Sequence, residues 1–491
     1  MVGNIDLASK LEDPSLFVQK AFVDGEWIAT GSGATFDVLD PATDRRIASV
    51  PDLGADDLEK AIHAASHAQK SWAKLTGKQR ASMLRQFHDL VVANVDDLAI
   101  ILTAEMGKPL QEARGEILYG AAYIEWFAEE AKRLNGDVIP AHQADKRILV
   151  LRRPVGVVGA ITPWNFPNAM LARKLAPALA VGCSIIAKPA AQTPLSALAL
   201  AVLSERAGIP RGIFNVVTSS DAEMVGQSFC ANELVAKISF TGSTNVGRIL
   251  MRQGADQIKK LSLELGGNAP FIVFDDADID AAVEGAVAAK FRNAGQTCVC
   301  ANRIYVQSSV YDEFAAKLAK RVDALKVGNG FDAGVEIGPL IDGNAMKKVK
   351  SHLDNALANG ARVVAGGSSV QTGGQFFAPT VLVAVTSDMK VTREETFGPL
   401  APLISFDTEE EVIRSANDSE FGLAGYFYSK DLARIFRVAE DMETGMVGVN
   451  TGLISTELAP FGGVKQSGLG REGSKYGIDD YTELKYVCLG L

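Results

Sequence analysis

Between residues 55 and 130 apolar positions recur at three- and four-residue spacing, interrupted at Gly107-Lys108-Pro109, which predicts a run of amphipathic helices. From Val157 the pattern changes to short apolar runs: Val157–Thr162, Ser184–Lys188, Phe214–Thr218, Lys237–Thr241 and Lys260–Glu264. Helical stretches lie between them, Met170–Ala180 and Pro194–Ala207 among them, closed by Gly182 and Gly208. Strands and helices alternating at this spacing imply right-handed crossovers and a parallel, doubly wound sheet. Such a sheet binds ligands beyond the carboxyl ends of its strands, where Asn165, Lys188, Gly242 and Glu264 fall. A second α/β run follows: strand Ala269–Phe274, helix Asp278–Asn293, strand Asn302–Gln307, then further alternations to Asn450. Gly136–Arg153 and Asp479–Leu491 read as extended arms without a core of their own, expected to pair with a neighbouring subunit.

Composition narrows the picture. A chain of 491 residues exceeds one ordinary core, and 47% hydrophobic with 22% charged residues is ordinary for a globular protein. The net charge of -10 argues against a sequence-independent grip on nucleic acid or an anionic membrane, so an anionic substrate would need a local cluster of Arg or Lys. Apolar stretches are broken by charges or Gly before reaching membrane-spanning length, and Met1 to Lys20 lacks the basic-then-apolar order of a secretory signal. Cysteines at 183, 230, 298, 300 and 488 make neither a disulfide framework nor a C-x-x-C zinc pair, which points to a reduced cytoplasm and no metal. His63 and His67 share a helix face but lack the Glu a zinc helix needs, and read as a solvated face.

Four stretches can carry chemistry. Asn293-Ala-Gly-Gln-Thr-Cys298-Val-Cys300 puts a thiol after a helix and a Gly, among small neighbours; spacing alone leaves Cys298 open as a nucleophile or an inert buried thiol. No His lies near it in the sequence, which argues against a Cys-His protease pair and asks for another base. Glu264, a carboxylate among apolar residues at a strand end, is a candidate whose pKa desolvation should raise; alternatively it is a surface acid before a turn. Phe240-Thr-Gly242-Ser243-Thr-Asn-Val-Gly247 is a strand, turn and helix start whose amides can cradle a pyrophosphate, although it is not a G-x-G-x-x-G fingerprint. Pro163-Trp164-Asn165-Phe166-Pro167 is a rigid loop, either purely structural or presenting the Asn165 amide to an oxyanion.

Together these stretches, with Lys188–Pro194, Glu394–Pro399 and Pro460–Gly473, closely resemble the aldehyde dehydrogenase superfamily, and within it the bacterial succinate-semialdehyde branch. The resemblance runs from about Leu16 to Leu491. It implies two doubly wound α/β domains plus a small oligomerisation arm. Residues 1–135 and 154–263 would form the Rossmann-like cofactor domain, 264–478 the catalytic domain, and 136–153 with 479–491 the arms of a homodimer or homotetramer. Cys298 matches the nucleophile, Glu264 the base that activates the deacylating water, and Asn165 with the Cys298 amide the oxyanion hole. Thr162, Pro163, Trp164, Lys188, Ala191, Gly242, Ser243, Leu265, Glu395 and Phe397 match positions that hold the nicotinamide cofactor. Arg173, Arg292 and Ser455 match residues that grip the substrate's distal carboxylate.

The implied reaction is NAD(P)-dependent oxidation of succinate semialdehyde through a Cys298 thioester, with 4-aminobutyrate degradation as the suggested pathway. Glutarate semialdehyde, one methylene longer, is the rival substrate. A CoA-acylating enzyme usually lacks the base that Glu264 supplies, and a non-catalytic structural member often loses the nucleophile or base, both intact here. One position departs from the pattern. NAD-preferring relatives often carry Glu three residues after the lysine matching Lys188, and close bacterial relatives that favour NADP carry Ser; here Ala191 leaves room for NADP, slightly favoured, or NAD. Cys300, two residues past the nucleophile, is either a small loop residue or a resolving thiol for oxidised Cys298.

Overall fold

The computed structural model describes residues 5–367 and 374–491. The helical run contains Ala55–Trp72, Gly77–Ala93, Val95–Met106 and Leu110–Glu130. A capping box at Thr76 and Gln79 starts the second, and Gly107 in the left-handed region ends the third. Ala169–Val181 and Leu195–Arg206 are apolar nearly all round because both lie inside the protein, with Leu110–Glu130 packed along the first and Val95–Met106 against the second.

The predicted parallel sheet forms around Phe214–Val216, Ser184–Lys188, Val157–Ile161, Val235–Thr241 and Lys260–Glu264, in that spatial order. The order reverses between Val157–Ile161 and Val235–Thr241, the crevice where a doubly wound sheet takes its ligand. Ile161 stands opposite both Lys188 and Phe240, and Thr241 opposite Glu264, so the carboxyl ends lie flush. The strand predicted to reach Thr218 stops at Val216, because Thr218 turns to bond Pro51 and Leu53 instead. The hairpin of Ala21–Val23 and Glu26–Ile28 covers one edge, and Gly468–Leu469 closes the other. A separate antiparallel pair joins Thr35–Asp40 to Arg45–Pro51.

The second α/β run forms a seven-stranded sheet in the order Arg362–Ala365, Thr380–Val383, Leu400–Phe406, Ala301–Gln307, Ala269–Val273, Ala424–Tyr428, Met446–Val449. All neighbours are parallel except Arg362–Ala365 with Thr380–Val383. The chain runs from Glu264, the last residue of a first-sheet strand, to Ala269, the first of a second-sheet strand, in five steps. The carboxyl edge of one sheet therefore meets the amino edge of the other.

The two arms pair with each other, a contact that periodicity did not reveal. Thr482–Gly490 runs antiparallel to Lys146–Pro154 along its whole length, and Asp137–Ile139 takes the other edge. The resulting three-stranded sheet leaves Val138, Leu484 and Tyr486 exposed. Among the described residues no helix is long and apolar enough to cross a membrane.

Candidate active site

A cavity of about 380 Å³ lies where the two sheet edges meet. Asn165, Arg173, Arg292, Cys298 and Ser455 line it together with Pro163, Trp164, Gly242, Ser243, Leu265, Glu395 and Phe397. Glu264, Thr162, Lys188, Ala191 and Cys300 stand outside this lining. Glu264 ends the strand that leads directly to Leu265, and both its carboxylate oxygens are buried without a hydrogen-bond partner. Lys188 ends the Ser184–Lys188 strand, is buried, and its side chain makes no hydrogen bond or ion pair among the described residues.

Cys298 sits on an irregular loop. The helix predicted to reach Asn293 starts after the Asp278 cap and ends at Phe291. Asn293, Ala294 and Gly295 then adopt left-handed backbone conformations, unusual for the first two and costly for Ala. Hydrogen bonds hold the turn: Asn293 N donates to Glu112 at 3.0 Å, and Asn293 Nδ2 donates to the carbonyls of Asn165 (3.0 Å) and Gln296 (3.2 Å). Asn165 Nδ2 also donates to the Gln296 carbonyl at 2.9 Å, leaving its second N–H for a ligand. This fixes the amide of Asn165 against the loop that carries the thiol.

Burial dominates the electrostatics. It pushes the Cys298 thiol up to about 12, with Arg173 and Arg292 drawing it down and Glu264 opposing them. Burial thus favours the neutral thiol, and the two guanidiniums are the groups that work against it. Burial also raises Glu264 well above the ordinary carboxylate range, with repulsion from Glu472 next and attraction to Arg173 and Lys174 against it.

The two arginines expected to hold an anion differ sharply. Arg173 is buried, pairs with Glu472 at 2.7 Å and stacks on Phe461 at 3.9 Å, although its Nε has no hydrogen-bond partner. Glu472 also takes Lys174 at 2.5 Å, and Lys174 donates to Thr241 Oγ1 at 2.6 Å. Arg292 is half-buried, its side chain makes no hydrogen bond or ion pair among the described residues, and its guanidinium lies over the Phe166 ring at 5.1 Å. That guanidinium faces the cavity, with the Glu112 carboxylate the acid whose charge it feels.

The remaining residues fit a dinucleotide. Ser243 caps the helix Thr244–Gly254, whose amino end opens at the point where strand order reverses. Gly247 lets that helix close on Leu265, since a Cβ there would stand 2.6 Å from the Leu265 side chain. Thr162 Oγ1 is buried without a partner, and Lys188, lowered to about 8 by burial, has none. Glu395 is held by Gly267 N at 3.0 Å, and burial raises it to about 6. Phe397, also left-handed, sets its ring edge-on to Trp164 at 5.5 Å. Cys300 lies buried behind the loop, with Lys290 Nζ 3.2 Å from its sulfur. Among the described residues no group of three or more His, Cys, Asp or Glu could hold a metal ion.

Sequence reasoning missed Lys108, Glu112, Glu116, Lys174 and Glu472. A signal existed for Lys174: Arg173-Lys174 interrupts an otherwise apolar helix, and charges buried inside a protein require partners. Nothing local marks Glu472 as that partner, 298 residues away.

The model of the aldehyde dehydrogenase family matches residues 27–487. The chain is 61% identical to the NADP-dependent succinate-semialdehyde dehydrogenase of Escherichia coli over 98% of its own length and 100% of that protein. It is 60% identical to a 3-sulfolactaldehyde dehydrogenase of Pseudomonas putida and 60% identical to a glutarate-semialdehyde dehydrogenase of Pseudomonas aeruginosa, each over 98% of this chain and 99% of the relative.

Proposed function

The chain belongs to the aldehyde dehydrogenase family, and we propose that it oxidises succinate semialdehyde to succinate with a nicotinamide cofactor. The observation that carries the substrate is Arg292, an unpaired guanidinium on the wall of the cavity that holds Cys298. The three relatives' names share an aldehyde with a distal anion, which is what such a cation recognises. Ser455 adds a hydroxyl, and Arg173 adds the free N–H of a guanidinium already neutralised by Glu472. Glutarate semialdehyde is the second reading, favoured by the Pseudomonas aeruginosa relative; one methylene discriminates by only about 1–3 kcal/mol.

The chemistry follows from the side chains. Cys298 Sγ bonds to the aldehyde carbon as its S–H bond breaks and the proton passes to water. Asn165 Nδ2 and the Cys298 amide hold the oxygen that becomes negative. A bound nicotinamide supplies the hydride acceptor, and Thr162, Lys188, Gly242, Ser243 and Glu395 would hold it. The carbon is then a thioester on Cys298. Glu264 takes a proton from water, whose oxygen attacks the thioester, and the C–S bond breaks to release the carboxylate. Ala191 carries no acid to repel a 2′-phosphate, so NADP serves at least as well as NAD.

Residues 1–135 and 154–263 then make the cofactor domain and 264–478 the catalytic domain, with Gly468–Leu469 crossing back to the first sheet. The exposed apolar face of the arm sheet joins subunits into a dimer or tetramer, which light scattering would measure.

The test is NAD(P)H formation with succinate semialdehyde, glutarate semialdehyde, 3-sulfolactaldehyde and butanal, with and without CoA. Succinate semialdehyde should give the highest kcat/KM, at least about 100-fold above butanal, an uncharged aldehyde of the same length. CoA should have no effect. Equal rates with butanal would remove the anion site from the reading, and a CoA requirement would replace hydrolysis by acyl transfer.

A further inference from the structure

Three charged side chains outside the expected site converge behind it. Lys108, Glu112 and Glu116 stand at four-residue steps, Lys108 just before the helix Leu110–Glu130 and the two acids on one face of its first turns. Lys108 and Glu116 are almost fully buried. Lys108 Nζ donates to Glu116 Oε2 at 2.6 Å and to the backbone carbonyl of Asn165 at 2.8 Å, and lies over the Phe166 ring at 3.7 Å. Glu116 Oε1 accepts from Asn168 N (3.0 Å) and Ala169 N (3.2 Å), which fastens the amino end of the helix that follows the Asn165 loop. Glu112 accepts from Asn293 N, in the left-handed turn before Cys298.

The contacts close on themselves. The Asn165 carbonyl receives Lys108 Nζ and Asn293 Nδ2, while the Gln296 carbonyl receives Asn165 Nδ2 and Asn293 Nδ2. The loop that presents the oxyanion donor and the loop that presents the thiol are therefore tied to one another and, through Lys108 and Glu112, to a single helix. A buried ammonium on a carbonyl is a costly arrangement unless it positions something, because neutral packing would serve stability equally well.

Resting on the reading of Asn165 as the oxyanion donor, we propose that Lys108, braced by Glu116, is a positioning residue that aims the Asn165 amide at the oxygen of the tetrahedral intermediate. Its contribution is felt only where negative charge develops on that oxygen. Glu112 does the same for the Cys298 loop by holding the Asn293 turn.

Two reagents for the thiol separate this role from general support of the fold. Iodoacetamide is displaced at a saturated carbon: the S–C bond forms, iodide leaves, and no oxyanion arises. With p-nitrophenyl acetate the thiol attacks a carbonyl, an oxyanion forms, and p-nitrophenolate leaves. Lys108→Met/Glu116→Gln removes both charges without leaving either unpaired, and Asn293→Asp keeps the left-handed turn but removes the donor to Asn165, should the double variant fail to fold. Each variant should lose about 10- to 100-fold in ester acylation and in kcat, with KM for the aldehyde within about 3-fold and alkylation by iodoacetamide within about 2-fold of the parent. Equal slowing of both reagents, or of neither, would overturn the proposal. Asn165→Ala, run alongside, should show the same split; if it acylates at the parent rate, the reading of Asn165 fails and this inference with it, whereas a split in Asn165→Ala alone sinks only the role of Lys108.

Discussion

Lys188, Thr241 and Glu264 stand at the flush carboxyl ends of parallel strands, whereas Cys298 and Arg292 stand on a loop before the amino end of a strand in the second sheet. On the first wall the ladder places each side chain, and the charges around Glu264 come already paired: Arg173 and Lys174 share Glu472. On the second wall three left-handed residues place the thiol, and the Arg292 side chain has no hydrogen bond or ion pair among the described residues. Regular structure thus supports the residues proposed to hold cofactor and to act as base, while the strained loop carries those proposed to meet the substrate. Left-handed Asn and Ala cost energy, and the bonds from Glu112, Asn165 and Gln296 offset it.

The sharpest break of this contrast lies on the first wall. Glu264→Gln should lower steady-state turnover by about 10²- to 10⁴-fold yet keep a burst of NAD(P)H, because only deacylation needs the base. Glu264 acts when ionised and its pKa is raised, so deacylation should quicken as pH rises through that pKa and fade below it. Stopped-flow traces across pH would read both; wild-type turnover in the variant would remove Glu264 from the base role.

Next comes the difference between the arginines. Arg292→Ala should raise KM for succinate semialdehyde about 10- to 100-fold and leave butanal almost unchanged, since only a charge-assisted contact is lost. Arg173→Ala should slow both substrates, because it leaves Glu472 with one cation fewer beside Glu264. If the two variants behave alike on both aldehydes, the division between paired and unpaired arginines fails.

A smaller effect is expected at the cofactor. Ala191→Glu should shift kcat/KM towards NAD by about 10-fold, the acid bonding a ribose 2′-hydroxyl and repelling a 2′-phosphate. Strong NAD preference in the parent protein would refute the reading of Ala191.

The smallest effect concerns Cys300. Cys300→Ala should have near-parent activity, yet after peroxide and then dithiothreitol it should recover less than the parent does. A resolving thiol protects a sulfenic acid on Cys298 from further oxidation, and an i,i+2 disulfide, being strained, reduces readily. Recovery equal in both would leave Cys300 as a packing residue beside Lys290.

The sequence by itself determined the α/β class, the strands that end in Lys188 and Glu264, the turn at Gly242, and the loop residues Asn165 and Cys298. Their legibility has a local cause: strand ends, glycines and a thiol after a helix are set by backbone preferences within a few residues. Only the tertiary structure decided which charges are spent. Arg173 and Arg292 look alike along the chain, yet Glu472 neutralises one and leaves the other open. Lys108, Glu112 and Glu116 read as an ordinary helix start until the fold buries Lys108 against Asn165 and Glu116 against Asn168, and sets Glu112 on Asn293. The arms likewise read as separate strands until Thr482 meets Pro154. Such pairings join residues from 52 to more than 300 positions apart, and burial, which makes an unpaired charge costly, arises only once the chain has folded around them.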